Sequence, residues 1–122
     1  MNMTGRILKF RGRCLDEQKL VYGTLWGVSK DIAKIIPEGD NQITITVHAN
    51  SLCQFTGVRD KNFREIYEGD ILKISDGRTF SVRYNDSMAA FCVVESGDLF
   101  CETMLGSVVM NCPDVEIVDA ER

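Results

Sequence analysis

ILKISDGRTFSVRYNDSMAAFCVV, residues 71–94, is the stretch whose reading decides the fold. Apolar and polar residues alternate through ILKIS, TFSVRY and AFCVV, and side chains that alternate this way fall on opposite faces of an extended strand. Asp76-Gly77 and Asn85-Asp86 separate the three segments, and Asp-Gly between alternating runs is a strong hairpin signal. With a further turn at Ser96-Gly97-Asp98, short strands at this spacing imply a small, strongly bent sheet or SH3-like barrel.

The same period runs outward from this core. QITITV, from Gln42, places Ile43, Ile45 and Val47 on one side of a strand and Thr44, Thr46 and His48 on the other. RILKFRGR, from Arg6, sets Leu8 and Phe10 against a largely basic face of Lys9, Arg11 and Arg13, with Ile7 on that second side. LVYGTLWGV follows, its glycines marking bulges or tight bends, and pairs with RILKFRGR as a hairpin through Asp16 to Lys19. SKDIAKII predicts one short helix, capped by Ser29, with Ile32, Ile35 and Ile36 on one face and Pro37 as its stop, although these residues also fit a strand end. Downstream, LFCETMLGSVVMNCPDVEIV holds an apolar run around Met104 to Met110, a stop at Pro113 and a last alternating VEIV.

The expected fold is therefore mainly β, with a β-rich α+β arrangement also admitted: an N-terminal β lobe (1–53) and an SH3-like C-terminal lobe (54–122) within one domain of 122 residues. Apolar residues make up 44% and charged residues 26%, which excludes a disordered chain. A net charge of −4 argues against a generic nucleic-acid binder. The charge is uneven: residues 1–36 hold seven bases and three acids, and residues 75–122 hold three bases and nine acids. Opposite potentials of this kind can steer one copy onto another. No apolar run reaches the length of a membrane-spanning helix, and no signal peptide is visible, so a cytoplasmic location and no membrane partner are expected.

Chemistry-bearing residues are sparse. The five cysteines, Cys14, Cys53, Cys92, Cys101 and Cys112, show no metal-ligand or redox spacing and read as reduced, mostly buried thiols. His48 is the only histidine, and nothing positions a cysteine beside it. No phosphate loop is present. No enzyme activity, cofactor, metal or small-molecule substrate is expected. In the charged block QFTGVRDKNFREIYEGDIL (54–72), Asp60 and Asn62 read as turn formers, Ile66 and Tyr67 return to the core, and Glu68-Gly69-Asp70 makes a second turn in which Asp70 accepts backbone N–H bonds. Glu65, Glu68 and Asp70 could alternatively hold an ion or do acid and base work. Lys9, Arg11 and Arg13, with Tyr22 or Trp26 as stacking platforms, form the candidate contact for nucleic acid or for another subunit.

Three blocks carry a resemblance: LKFRGR followed by VYGTL, the charged block 54–72, and LGSVVMNCPDVEIV. In these the chain resembles, from end to end, the YopX-like proteins of bacteriophages and prophages. The resemblance implies a β-rich fold with an SH3-like C-terminal part, a phage or mobile-element origin in a bacterial host and self-association as a homo-oligomer. It implies no reaction and maps no catalytic residue. Two departures stand out: the family places Gly where Phe63 stands, and an Ile-Gly-Asn-Ile-like stretch where Leu105 to Val108 reads LGSV. Phe in a position that requires positive φ is strained, so a reshaped turn is expected at Phe63. The expected function is a non-enzymatic, oligomer-forming accessory protein, with nucleic-acid binding through the basic strand as the alternative.

Overall fold

The computed structural model describes residues 8–96 and 102–120. Arg6, Ile7, Gly97, Asp98 and Cys101, which figure in the sequence reading, lie outside the described residues. The chain divides into two units, one ending at Phe55 and one beginning at Thr56. It is mainly β, built from two antiparallel sheets.

The first unit contains β1 (Phe10–Arg13), β2 (Leu20–Val28), β3 (Ile32–Pro37), β4 (Ile45–His48) and the start of β5 (Cys53–Arg59). Their order is β4-β3-β2-β1-β5. The β1–β2 hairpin forms as the sequence indicates, with Phe10 opposite Gly23 and Arg13 opposite Leu20. Beyond β1, Cys14 bridges to Val47, and the Leu15 N–H donates to the Thr46 carbonyl over 3.3 Å, so β4 returns to β1 and the sheet curls on itself. Ala33, Ile35 and Val47 fill the interior, with Val21, Leu25 and Leu52 packed around them. The curl requires a residue without a side chain at position 23, where an ideal Cβ would sit 1.9 Å from the Ile36 carbonyl oxygen.

The expected helix at SKDIAKII is corrected: β3 is a strand, paired with β2 on one side and β4 on the other. Ile32, Ile35 and Ile36 fit a helical face, but they are β-branched, and Ala33 and Ile35 point alternately into the core. Ser29 does not cap a helix. Its N–H and hydroxyl both donate to the Ile32 carbonyl, which makes it the first residue of the β2–β3 turn. At the start of β4, Ile43 is exposed and precedes the strand, so the alternation of QITITV delivers Val47 inward over a shorter span.

In the second unit, the end of β5 neighbours β6 (Glu65–Tyr67). A five-stranded sheet follows, from β7 (Asp70–Lys73), β8 (Thr79–Asn85), β9 (Ala90–Glu95), β10 (Glu102–Met104) and β11 (Glu116–Ala120), in the order β10-β9-β8-β7-β11. This order is compatible with an SH3-like barrel. The hairpins at Asp76-Gly77 and Asn85-Asp86 lie where the turn residues place them. The apolar run after Met104 becomes a helix, α1 (Leu105–Asn111), which turns Leu105 and Val108 inward. They join Ile66, Leu72, Val82, Val93 and Val115 in one core. On the edge strand β11 the register shifts between Ile117 and Asp119, leaving Val118 exposed in a bulge.

Candidate functional site

The charged block is built around two inward carboxylates. Asp60, only 6% exposed, directly follows β5; its Oδ1 accepts the N–H groups of Asn62 and Arg64 at 2.9 Å each, and its Oδ2 accepts the Ile117 N–H at 3.0 Å. Asp60 forms the turn as read, and its second oxygen reaches beyond that turn. A carboxylate whose oxygens are taken up by backbone donors is a structural brace, and here it ties the β5–β6 turn to β11, 57 residues away. Asp70 is also buried; its Oδ2 accepts the Tyr67 N–H at 2.8 Å across the turn in which Gly69 adopts φ +93°.

Glu65 is occupied differently. It accepts the Tyr67 hydroxyl at 3.1 Å and faces the Arg59 guanidinium at 3.5 Å, while Glu68 lies half-buried in the turn beside Gly69. Among the described residues no group of three His, Cys, Asp or Glu side chains is placed to hold a metal ion. His48 sits half-buried on β4. Burial pushes the Cys92 thiol above its ordinary range.

The turn between β5 and β6 keeps the left-handed geometry. Phe63 has φ +66°, with its N–H donating to the Asp60 carbonyl at 2.9 Å. The expected reshaping is thus corrected: Phe63 is held in a conformation that costs an L-residue about 1–2 kcal/mol. Its ring is 77% exposed, and the Arg59 guanidinium lies 4.9 Å from the ring centroid.

The basic strand is not an open row of cations. Arg11 is 3% exposed; the Lys9 ammonium lies 2.7 Å from Glu38 and 6.0 Å from the Phe55 ring; and the Arg13 guanidinium donates to the Gln18 carbonyl. Alternation assigns these residues to one face of β1 but does not say what covers that face. Of the proposed platforms, Tyr22 is half-buried and Trp26 is exposed.

Trp26 owes its exposure to a bulge. In the β2–β3 register Leu25 faces Ile35 and Gly27 faces Lys34, so Trp26 is the extra residue of β2, and an extra residue of this kind re-aims its side chain. The Trp26 side chain, 65% exposed, borders a shallow apolar notch of about 310 Å³ with Gly27, Val28, Ile32 and Ala33, and Lys34 forms part of its wall. The signal for this in the sequence was Gly27, a glycine inside an alternating run. A second depression of about 230 Å³ lies in the second unit over Phe80 and Val108, with Cys112 on its wall. Its one cation, Arg78, is engaged by Asp76 at 2.8 Å and Glu95 at 3.7 Å.

Comparison with known proteins bears on the same residues. A family model described as YopX protein matches residues 9–112, most of the chain, including β1, the charged block and α1. The chain belongs to the YopX protein family. No curated protein matches it. For this YopX chain the matched span takes in both the Asp60 brace and the Trp26 notch, and it ends before β11, the strand to which Asp60 donates no group but from which it accepts the Ile117 N–H. No helix among its described residues is long and apolar enough to cross a membrane.

Proposed function

We propose that this YopX-family chain is a phage- or prophage-encoded accessory protein of the bacterial cytoplasm. It works without catalysis, as a subunit that associates with copies of itself. The observation that carries the reading is the Trp26 notch: a bulge turns a tryptophan outward beside exposed Val28 and Ile32, and burying such a cluster gains hydrophobic free energy only against another surface. Tryptophan is among the residues that dominate the energetics of protein contacts. The partner we favour is a second copy, because Lys34 lines the notch while residues 75–122 carry nine acids against three bases. The basic strand supports the nucleic-acid alternative poorly, since Arg11 is buried and Lys9 is engaged by Glu38.

Light scattering coupled to gel filtration tests the proposal. The expected result is a mass above that of one chain at low salt, falling toward the monomer in Trp26→Ser. A strict monomer at high protein concentration refutes it.

A further inference from the structure

We propose that the β5–β6 turn is a contact site for single-stranded nucleic acid, with Phe63 as its stacking platform. The inference begins with strain. A residue bearing a side chain is disfavoured at φ +66°, and none of the hydrogen bonds that make this turn uses the phenyl ring. The Phe63 N–H donates to the Asp60 carbonyl, and the N–H groups of Asn62 and Arg64 donate to Asp60 Oδ1. Glycine would form the same turn without strain, so what the ring adds beyond its contact with Arg59 lies outside the fold.

Its surroundings say what that contribution is. The ring is 77% exposed and is steadied by the Arg59 guanidinium, 4.9 Å from its centroid, which Glu65 fixes from 3.5 Å. Lys61 and Arg64 stand on either side in the turn, both exposed. Lys61 faces Glu116 at 3.6 Å in a half-exposed pair that a phosphate can displace, and Arg64 has no ion pair among the described residues. An exposed ring on a turn that also carries two exposed cations, Lys61 and Arg64, can take a base by stacking on its open side and the backbone by charge. An acidic peptide would satisfy the cations alone and leave the rigid ring unused. With a net charge of −4 the chain offers no broad cationic track, so the footprint is one or two nucleotides and the binding is weak.

The experiment is fluorescence anisotropy of a labelled oligothymidylate titrated with the full chain at low salt. Binding is expected, weakening as salt rises, and about tenfold weaker in Phe63→Gly. Phe63→Gly relieves the strain at φ +66°, so its melting temperature is expected at or above that of the parent chain, and lost binding cannot be ascribed to lost folding. Met110→Ser, at an exposed position on α1, serves as the control that retains binding. Absence of binding at low salt, or equal binding by Phe63→Gly, overturns the proposal. So does equal or tighter binding of polyglutamate with the same Phe63 dependence, which would assign the tip to an acidic protein.

Discussion

Replacing Asp60 tests whether the charged block is a brace. Asp60→Ala removes the acceptor of three backbone N–H groups. Asn62 and Arg64 are exposed residues, so their N–H groups recover water, and the loss is about 1 kcal/mol each. The Ile117 N–H belongs to a buried residue; leaving it without its charged acceptor costs about 2–3 kcal/mol. The expected destabilisation of Asp60→Ala is therefore about 4–5 kcal/mol, a large fraction of the stability of a domain this size. Asp60→Asn keeps one oxygen for the turn but places an NH₂ group against the Ile117 N–H, donor against donor, and is expected to cost about 2–3 kcal/mol. Urea denaturation followed by circular dichroism measures both. Amide exchange at Ile117 supplies the specific readout, since it should accelerate in Asp60→Asn while the β1–β2 hairpin amides stay protected. A loss under about 1 kcal/mol in Asp60→Ala, or unchanged Ile117 exchange, would refute the reasoning.

Two further tests address other parts of the fold. Gly23→Ala drives a methyl group to 1.9 Å from the Ile36 carbonyl oxygen, so β2 and β3 must separate; a loss of about 3 kcal/mol or more is expected in urea denaturation, with Gly27→Ala, where a Cβ meets open space, as the mild comparison. Acid should weaken the Asp76 and Asp114 contacts. The backbone N–H of Arg78 holds Asp76 below its ordinary value of 3.8, and the hydroxyl of Ser75 does the same for Asp114. A carboxylate depressed in the folded state stabilises above its unfolded pKa, so this contribution is intact above 3.8 and is lost as pH falls through the lower folded values. The double variant Asp76→Asn, Asp114→Asn should flatten the fall in melting temperature below that pH.

What the sequence disclosed was local. The β7–β8 and β8–β9 hairpins needed only alternation and a turn pair at fixed spacing, and both were legible. β3 was not, because Ile32, Ile35 and Ile36 satisfy a period of 3.6 as well as their neighbours Ala33 and Ile35 satisfy a period of two, and the arbiter was pairing with β2 and β4. The burial of Arg11 was hidden for a related reason: alternation divides the faces of a strand without telling which face meets water. Asp60 was legible only as a turn former because its partner that matters most lies 57 residues on. Trp26 was named as a platform from its residue type, but its outward aim depends on the register shift at Gly27, which only the pairing of β2 with β3 reveals.

The charged block thus does two kinds of work that its composition does not separate. Asp60 and Asp70 face inward, and their oxygens hold backbone donors; Lys61, Phe63 and Arg64 face solvent on the turn those bonds define. Because the Asn62 and Arg64 N–H groups are fixed by one carboxylate oxygen, the turn's shape does not depend on which side chain occupies position 63. Position 63 can then carry a contact side chain without loss of the turn, at the cost in strain that any L-residue meets there, which is the arrangement expected of a contact residue on a rigid support. The two roles separate experimentally: substitution at Asp60 should lower stability and recognition together, whereas Phe63→Gly should lower recognition while keeping or raising stability.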